Sequence, residues 1–321
     1  MEISFRERIN NKLLDFTFRL YKLINKLYEY NIISDKIFLT LSYRYKKKKW
    51  INWRNPHSFS EKLQWLKLYD RKPEYTNIVD KVKFKEWAAK KIDPCYIIPT
   101  LFIYDNPEDI KFEKLPNRFV IKCNHSSGKN YIHAADTPLD IKKIKKILNI
   151  KFKQNYFKHG GEWPYKNVKK KILVEEYIEI KNKDGIIDYK FYCFNGKPEY
   201  IQINSFSDHY IYDREIEIQS FQLFYDKEWN LMEFSQGYPE RGEKEISKPE
   251  NFEKMLEIAA ILSQDIPFVR VDMYNVGGKI YVGELTFYPY NGFYPFYPDE
   301  SWDYKLGELL KLNLKEKFQL R

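Results

Sequence analysis

The stretch "FVRVDMYNVGGKIYVGELTFYP", residues 268–289, alternates apolar and polar side chains on both sides of a Gly-Gly pair. Alternation of period two marks half-buried strands, and Gly277-Gly278 marks the turn of a hairpin. On this reading Asp272 sits on the outgoing strand and Glu284 on the return. A three-residue loop, 277–279, sets the two carboxylates directly opposite, with Cβ atoms about 4.5–5.5 Å apart. A two-residue loop misses by one and needs a bulge to bring them together. Carboxylates this close repel unless a cation lies between them, and hard oxygen ligands with room for phosphate and water describe a Mg2+ site. Alternation also puts Arg270 on the Asp272 face and Thr286 on the Glu284 face. A guanidinium and a hydroxyl beside two carboxylates suit phosphoryl transfer. The competing reading is that each carboxylate pairs with a neighbouring lysine or faces solvent.

Outward from this hairpin the second half of the chain reads as antiparallel β. "DYKFYCFNGKPEYIQIN", 188–204, is a hairpin about Asn195-Gly196, a further strand is expected at 219–225, and "NFEKMLEIAAILSQ", 251–264, reads as a helix. Upstream, "ILVEEYI", 172–178, is a strand, and "VIKCNHSSGKN", 120–130, is a strand running into a polar loop. Lys122 interrupts that strand, and Ser126, Ser127, Gly128 and Lys129 supply hydroxyls, a backbone open to close approach and a second cation. The loop is neither GxxxxGK[ST] nor GxGxxG. Alone it reads more readily as a polar strand-to-strand turn. Helices are expected from "NPHSFSEKLQWLKLYDR", 55–71, with Ser58 or Ser60 as N-cap and Glu61 in the first turn, from "VDKVKFKEWAAKKI", 79–92, and around 138–150. Strands and helices in this order indicate an α+β fold rather than a doubly wound parallel sheet.

The 321 residues carry a net charge of +10 and are 18% aromatic and 31% charged, the profile of a chain that folds and stays in water. Cys95, Cys123 and Cys193 lie far apart, which supports neither a disulfide framework nor a zinc site and fits a reducing cytoplasm. No apolar run is long enough for a membrane span, and no signal-peptide core is present. The positive excess is concentrated at the start: residues 1–50 hold twelve Lys/Arg against five Asp/Glu. Leu13, Phe16, Leu20, Leu23 and Leu27 recur at helical spacing there, with Arg19, Lys22 and Lys26 on other faces. Such a helix either packs on the globular body or lies on an anionic membrane surface, and the run "RYKKKKW", 44–50, suits the second. No nucleic acid is expected, since no RRM, KH, helix-turn-helix or zinc-finger signature accompanies the charge.

Taken in chain order, these pieces resemble the ATP-grasp superfamily, and in "SFSEKLQWLKLYD", "DYKFYCFNGKP" and "ELTFYPYNG" its TupA-like branch of polysaccharide-biosynthesis amide ligases. The resemblance covers about residues 55–310. It implies the ATP-grasp fold, two α+β subdomains with antiparallel sheets gripping ATP, here with a basic helical N-terminal segment. The implied divisions are a basic segment at 1–54, a helical lead-in at 55–110, a small subdomain with phosphate loop and adenine hinge at 111–180, and a large subdomain at 181–321. By the same resemblance Lys81 and Lys122 bind phosphate, Ser126, Ser127, Gly128 and Lys129 form the covering loop, and Glu175, Glu176, Tyr177 and Ile178 form the adenine hinge. Glu175 would face the adenine amino group, with the backbone of Glu176 and Ile178 on the ring edge. Asp272, Glu284 and Thr286 would hold one or two Mg2+, with Arg270 and Lys190 acting on the transferring phosphoryl group. Thr286 departs from the Asn that many members carry, and Asp188 is placed to neutralise Lys190.

The chemistry so implied is ATP-dependent joining of a carboxylate to an amine through an acyl phosphate. The expected partners are an amine or amino acid and a carboxylate, in the form of a uronic acid of a capsule or O-antigen glycan, for which the eight aromatics in "TFYPYNGFYPFYPDESW", 286–302, offer stacking surfaces. The alternatives are an ATP-grasp kinase, a glycosyltransferase, against which the lack of a DxD motif counts, and a non-catalytic glycan-binding protein. The expected location is the cytoplasm, with the basic N-terminus placing the protein at the inner face of the membrane.

Overall fold

The computed structural model describes residues 5–126, 130–133, 138–178, 187–205, 222–237 and 245–314, with side chains from residue 16 onward. Five helices come first: α1 (Phe5–Glu29), α2 (Asp35–Lys47), α3 (Phe59–Tyr69), α4 (Glu74–Val79) and α5 (Lys81–Ala88). Ser58 caps α3 in a full capping box, its hydroxyl accepting from the Glu61 N–H while the Glu61 carboxylate accepts from the Ser58 N–H. Asp80 ends α4 and caps α5, its carboxylate accepting from the Val82 N–H at 3.0 Å. The expected helix over 79–92 therefore begins at a cap that also sets the position of Lys81.

A four-stranded antiparallel sheet follows, in the order β1 (Thr100–Tyr104), β4 (Ile172–Glu176), β2 (Phe119–Cys123) and β3 (Tyr131–His133). Between β3 and β4 run α6 (Ile141–Lys153) and the short α7 (Tyr156–Gly160). Phe119, Ile121, Cys123, Ile172 and Val174 share a buried core with Ile144 and Leu148 of α6. Strand alternation then turns Lys122 and Glu175 to the opposite face. Lys122 interrupts the apolar run because it belongs to the other side of the sheet.

The larger sheet is five-stranded and antiparallel, in the order β10, β9, β5, β6, β7, built from β5 (Ile187–Phe194), β6 (Lys197–Ser205), β7 (Gln222–Asp226), β9 (Phe268–Val276) and β10 (Lys279–Thr286). The two-residue strands β8 (Ser235–Gln236) and β11 (Phe296–Tyr297) pair with each other, and α8 (Phe252–Ser263) and α9 (Ser301–Leu309) complete the chain. Both predicted hairpins form, with positive φ at Asn195 and Gly196 and at Gly277 and Gly278. One face of this sheet is apolar. Phe191, Cys193, Ile201, Ile203, Leu223, Val269, Val271 and Met273 are buried, and α8 covers them, with Phe191 against Phe252 and the Cys193 thiol donating to the Ala259 carbonyl. The other face is polar across all five strands, because register aligns Glu284 and Thr286, Asp272 and Arg270, Lys190 and Tyr192, Gln202 and Asn204, and Gln222.

The N-terminal helix differs from the simplest expectation. It packs through Ile24 and Tyr28, with Tyr28 stacked on Phe38 at 3.9 Å and donating to Asp35 at 2.9 Å. The stripe of Phe16, Leu20 and Leu23 remains 64%, 47% and 51% exposed. Among the described residues no helix is long and apolar enough to cross a membrane.

Candidate active site

The hairpin resolves the register question of the sequence. Its loop has two residues, Val276 pairing with Lys279, and a bulge at Gly283 restores Glu284 to a place directly opposite Asp272. Arg270 and Thr286 form the next pair on the same face. The Arg270 guanidinium donates twice to the Asp272 carboxylate, at 2.7 and 2.6 Å, and reaches the Thr286 hydroxyl at 3.4 Å. Lys190 pairs with Asp188, as the sequence allowed, and also with Asp272 at 3.0 Å.

Lys81 joins three elements. From the first turn of α5 its ammonium lies 2.8 Å from Glu284 and donates to the Ser126 carbonyl at 3.0 Å. Burial alone would raise the Glu284 pKa, but Lys81, Lys190 and Arg270 outweigh it and hold the carboxyl at about 2. The site therefore presents the carboxylates of Asp188, Asp272 and Glu284 and the Thr286 hydroxyl beside three cations, Lys81, Lys190 and Arg270. Among the described residues no three His, Cys, Asp or Glu side chains converge to form an all-protein metal cage. Two carboxylates and a hydroxyl fit a hard cation that takes its remaining ligands from phosphate and water.

The second cluster lies on the small sheet. Glu175 is buried between Lys122 and Lys85, with 2.6 Å to each. Burial would raise its pKa, but Lys122 and Lys85 together lower it. Glu176 is exposed, and its N–H is donated to the Pro99 carbonyl at 3.1 Å. Tyr177 and Ile178 follow the strand end, both half-buried. Ser126 is buried at the end of β2, whereas Ser127, Gly128 and Lys129 lie outside the described residues.

Three further residues belong to this arrangement although sequence reasoning did not single them out. Lys85 stands one turn after Lys81 on α5, a spacing visible in "DKVKFK". Asn124 is fully buried, donates to Asp80 at 2.8 Å and to the Lys169 carbonyl at 2.9 Å, and accepts from the Lys171 N–H at 2.7 Å. It thereby ties the α5 cap to the strands carrying Lys122 and Glu175. Glu162 is buried within electrostatic reach of Lys67, Arg270 and Glu284, and burial raises its pKa. Nothing in its local sequence marks it, because the residues around it come from distant segments.

The sequence model of the family described as TupA-like ATPgrasp matches residues 61–311. The chain belongs to the TupA-like ATP-grasp family. That span contains both sheets and every site residue named above, while α1 and α2 precede it. No curated protein sequence matches the chain. Among solved structures, D-alanine–D-alanine ligase from Helicobacter pylori is similar at 12% identity, over 79% of this chain and 70% of that one, with a TM-score of 0.42. D-alanine–D-alanine ligase from Bacillus anthracis is similar at 13% identity over 65% of this chain and 56% of that one (TM-score 0.39), and L-amino acid ligase from Bacillus licheniformis at 12% over 70% and 45% (TM-score 0.38). The TupA-like chain thus spans little more than half the length of the Bacillus anthracis ligase.

Proposed function

We propose that this protein is an ATP-dependent carboxylate–amine ligase that joins an amine or amino acid to a carboxylate, in the form of a uronic acid of a bacterial surface polysaccharide. The observation that carries the reading is the opposition of Asp272 and Glu284 beside Lys81, Lys190 and Arg270, within an ATP-grasp family match. Asp272 and Glu284, with Thr286, would hold Mg2+, which when bound screens the β- and γ-phosphates and favours charge transfer to the leaving ADP. Lys81 and Lys122 would bind phosphate oxygens, and the loop of Ser126, Ser127, Gly128 and Lys129 would cover them and exclude water. Glu175 to Ile178 would hold the adenine. A substrate carboxylate oxygen attacks the γ-phosphorus, the bond to the ADP oxygen breaks, and an acyl phosphate forms. The amine nitrogen then attacks the acyl carbon, loses a proton, and phosphate leaves with the bonding pair. Arg270, with its planar pair of donors, and Lys190 would steady the phosphoryl oxygens through both steps. The divisions at residues 54, 110 and 180 belong to the same proposal, and they leave β1 in the lead-in although it pairs with β4 of the small sheet.

Release of ADP and phosphate in equal amounts, measured with a panel of carboxylates and amines and with products weighed by mass spectrometry, tests this reading. Phosphate retained on the product would identify a kinase instead. Full turnover by Asp272→Asn at saturating Mg2+ would overturn the metal assignment.

The second part of the proposal is a place at the inner face of the membrane. Phe16, Leu20 and Leu23 are exposed on α1 beside Lys22 and Lys26, and Lys46, Lys48 and Lys49 are exposed around the end of α2, whereas Lys47 of the same run is buried against Glu300 and Asp303 and takes no part. An apolar stripe flanked by lysines fits an anionic lipid surface, each exposed lysine adding about 1 kcal/mol. Sedimentation with phosphatidylglycerol vesicles should pull down the full chain and not the Phe16→Ser/Leu20→Ser/Leu23→Ser variant. Equal binding of both would dispose of it.

A further inference from the structure

The polar sheet face continues past Arg270 into a region that the nucleotide chemistry does not use. Tyr192 is the register partner of Arg270, and its hydroxyl lies 2.7 Å from Gln202 Oε1 and 2.9 Å from Gln236 Oε1. Gln202 and Gln222 both donate to the hydroxyl of Tyr290, at 2.9 and 3.0 Å, and Gln222 accepts from the Gln236 N–H at 2.6 Å. Gln202, Gln222 and Gln236 are all buried. Three buried carboxamides from three strands are thus committed to holding two tyrosine hydroxyls.

Tyr290 is also held by its backbone. Tyr290 and Asn291 have φ of 52° and 56°, a left-handed conformation that costs a residue with a Cβ, most of all a bulky one. The turn is pinned from below. Lys67, fully buried in α3, donates to the Asn291 carbonyl at 2.9 Å and to the Gly160 carbonyl at 2.8 Å, and Gln64 donates to the Asn291 and Gly292 carbonyls. Gly160 packs closely on this turn: a Cβ there would lie 1.7 Å from Asn291 Oδ1, so a larger residue would have to displace the Asn291 side chain. The result is a tyrosine fixed at both ends, its hydroxyl linked through Gln202 to Tyr192, the register partner of Arg270. Its ring stacks on Tyr294 at 4.7 Å and 13°, and Tyr294 is 43% exposed.

Strain maintained by so many contacts is concentrated where a residue serves a ligand. A two-ring aromatic stack, anchored through neutral carboxamides, exposed at Tyr294 and leading along the sheet face to the buried Arg270–Asp272 pair, suits a ligand with an apolar ring face, neutral hydroxyls and one carboxylate. We propose that the Tyr290–Tyr294 stack seats the ring of a pyranose sugar acid, laid so that its carboxylate reaches Arg270. This rests on the ligase reading above and names the residues that select its acid substrate.

The test is calorimetric titration of the full chain with D-glucuronate, D-galacturonate and, as a ringless acid of equal charge, lactate, with and without AMP-PNP and Mg2+. A hexuronate should bind at least tenfold more tightly than lactate. Tyr294→Ala should weaken hexuronate binding by about tenfold and leave lactate unchanged, the loss expected for one stacked ring. Tyr290→Phe, which keeps the ring and removes the anchored hydroxyl, should give a smaller loss, and AMP-PNP affinity should stay within twofold in both variants. Equal affinity of wild type for hexuronate and lactate, or unchanged hexuronate binding by Tyr294→Ala, overturns the proposal. Failure of wild type to bind AMP-PNP defeats the ligase reading instead, and the titration without nucleotide still decides the platform.

Discussion

Glu284 lies directly opposite Asp272 because Gly283 is an extra residue in β10, looped out between the pairs Val282–Met273 and Glu284–Asp272. With the same two-residue turn and no bulge, Gly283 would face Asp272, and Glu284 would point with Val271 toward α8. The bulge therefore decides whether this carboxylate enters the site or the core. Insertion of an alanine after Gly283 should turn Glu284 toward the apolar face and lower ATP-dependent turnover by roughly 100-fold or more, the scale of losing one electrostatic group from an active site. Deletion of Gly283 makes the flanking pairs consecutive, and it should retain measurable activity. Comparing ADP release by the two variants separates register from mere disturbance of the strand.

Acid should weaken the same junction. Glu284 has a folded-state pKa of about 2 against an ordinary value of 4.5. A carboxyl with a depressed pKa stabilises the fold above its unfolded value, and that contribution is lost as pH falls through the folded value. The Lys81–Glu284 pair should thus be at full strength above pH about 4.5 and vanish toward pH 2. Melting temperatures measured across this window should fall less steeply for Glu284→Gln than for wild type. Parallel acid limbs in the two proteins would contradict the assignment.

Glu175 offers a different prediction, since it is buried and serves two lysines at once. Glu175→Gln leaves Lys85 and Lys122 without their counter-charge, and breaking a buried ion pair from one side costs about 3 kcal/mol. Lys85→Met removes only one arm and leaves Glu175 paired with Lys122, so it should cost less. Urea denaturation midpoints of the two variants should fall in that order.

Much of this arrangement could be read from local pattern. Lys122 and Glu175 break apolar runs at single positions, and the strands then place both on the face away from α6, as period-two alternation requires. The Asn195-Gly196 and Gly277-Gly278 turns follow from their need for positive φ. The sequence leaves the bulge at Gly283 as one of two alternatives, because turn length is not settled by a Gly-Gly pair followed by lysine. The exposed stripe of α1 was ambiguous for a related reason. Leu20 and Ile24 both fit a helical apolar spacing, and only the position of α2 and α7 selects Ile24 and Tyr28 for burial. Glu162, Lys67 and Tyr290 are gathered from segments up to 223 residues apart, as Gln64 and Lys67 reaching Asn291 show at separations of 227 and 224. No local pattern carries such contacts.

Asn124 tests whether the α5 cap and the small sheet act as one unit. Its amide nitrogen bonds the Asp80 carboxylate and the Lys169 carbonyl, and its oxygen accepts from the Lys171 N–H, all at a fully buried position. Asn124→Ala strands three polar groups, each costing about 1–3 kcal/mol when buried without a partner. A loss of roughly 3 kcal/mol is expected, since part of that cost is relieved by water or local shifts. Because Asp80 caps the helix that carries Lys81 and Lys85, the variant should also bind AMP-PNP more weakly, and Asn124→Asp should not rescue it. An aspartate presents a second carboxylate to Asp80 where the amide donated a hydrogen bond. Weaker folding with unchanged nucleotide affinity would show that the cap and the site are independent.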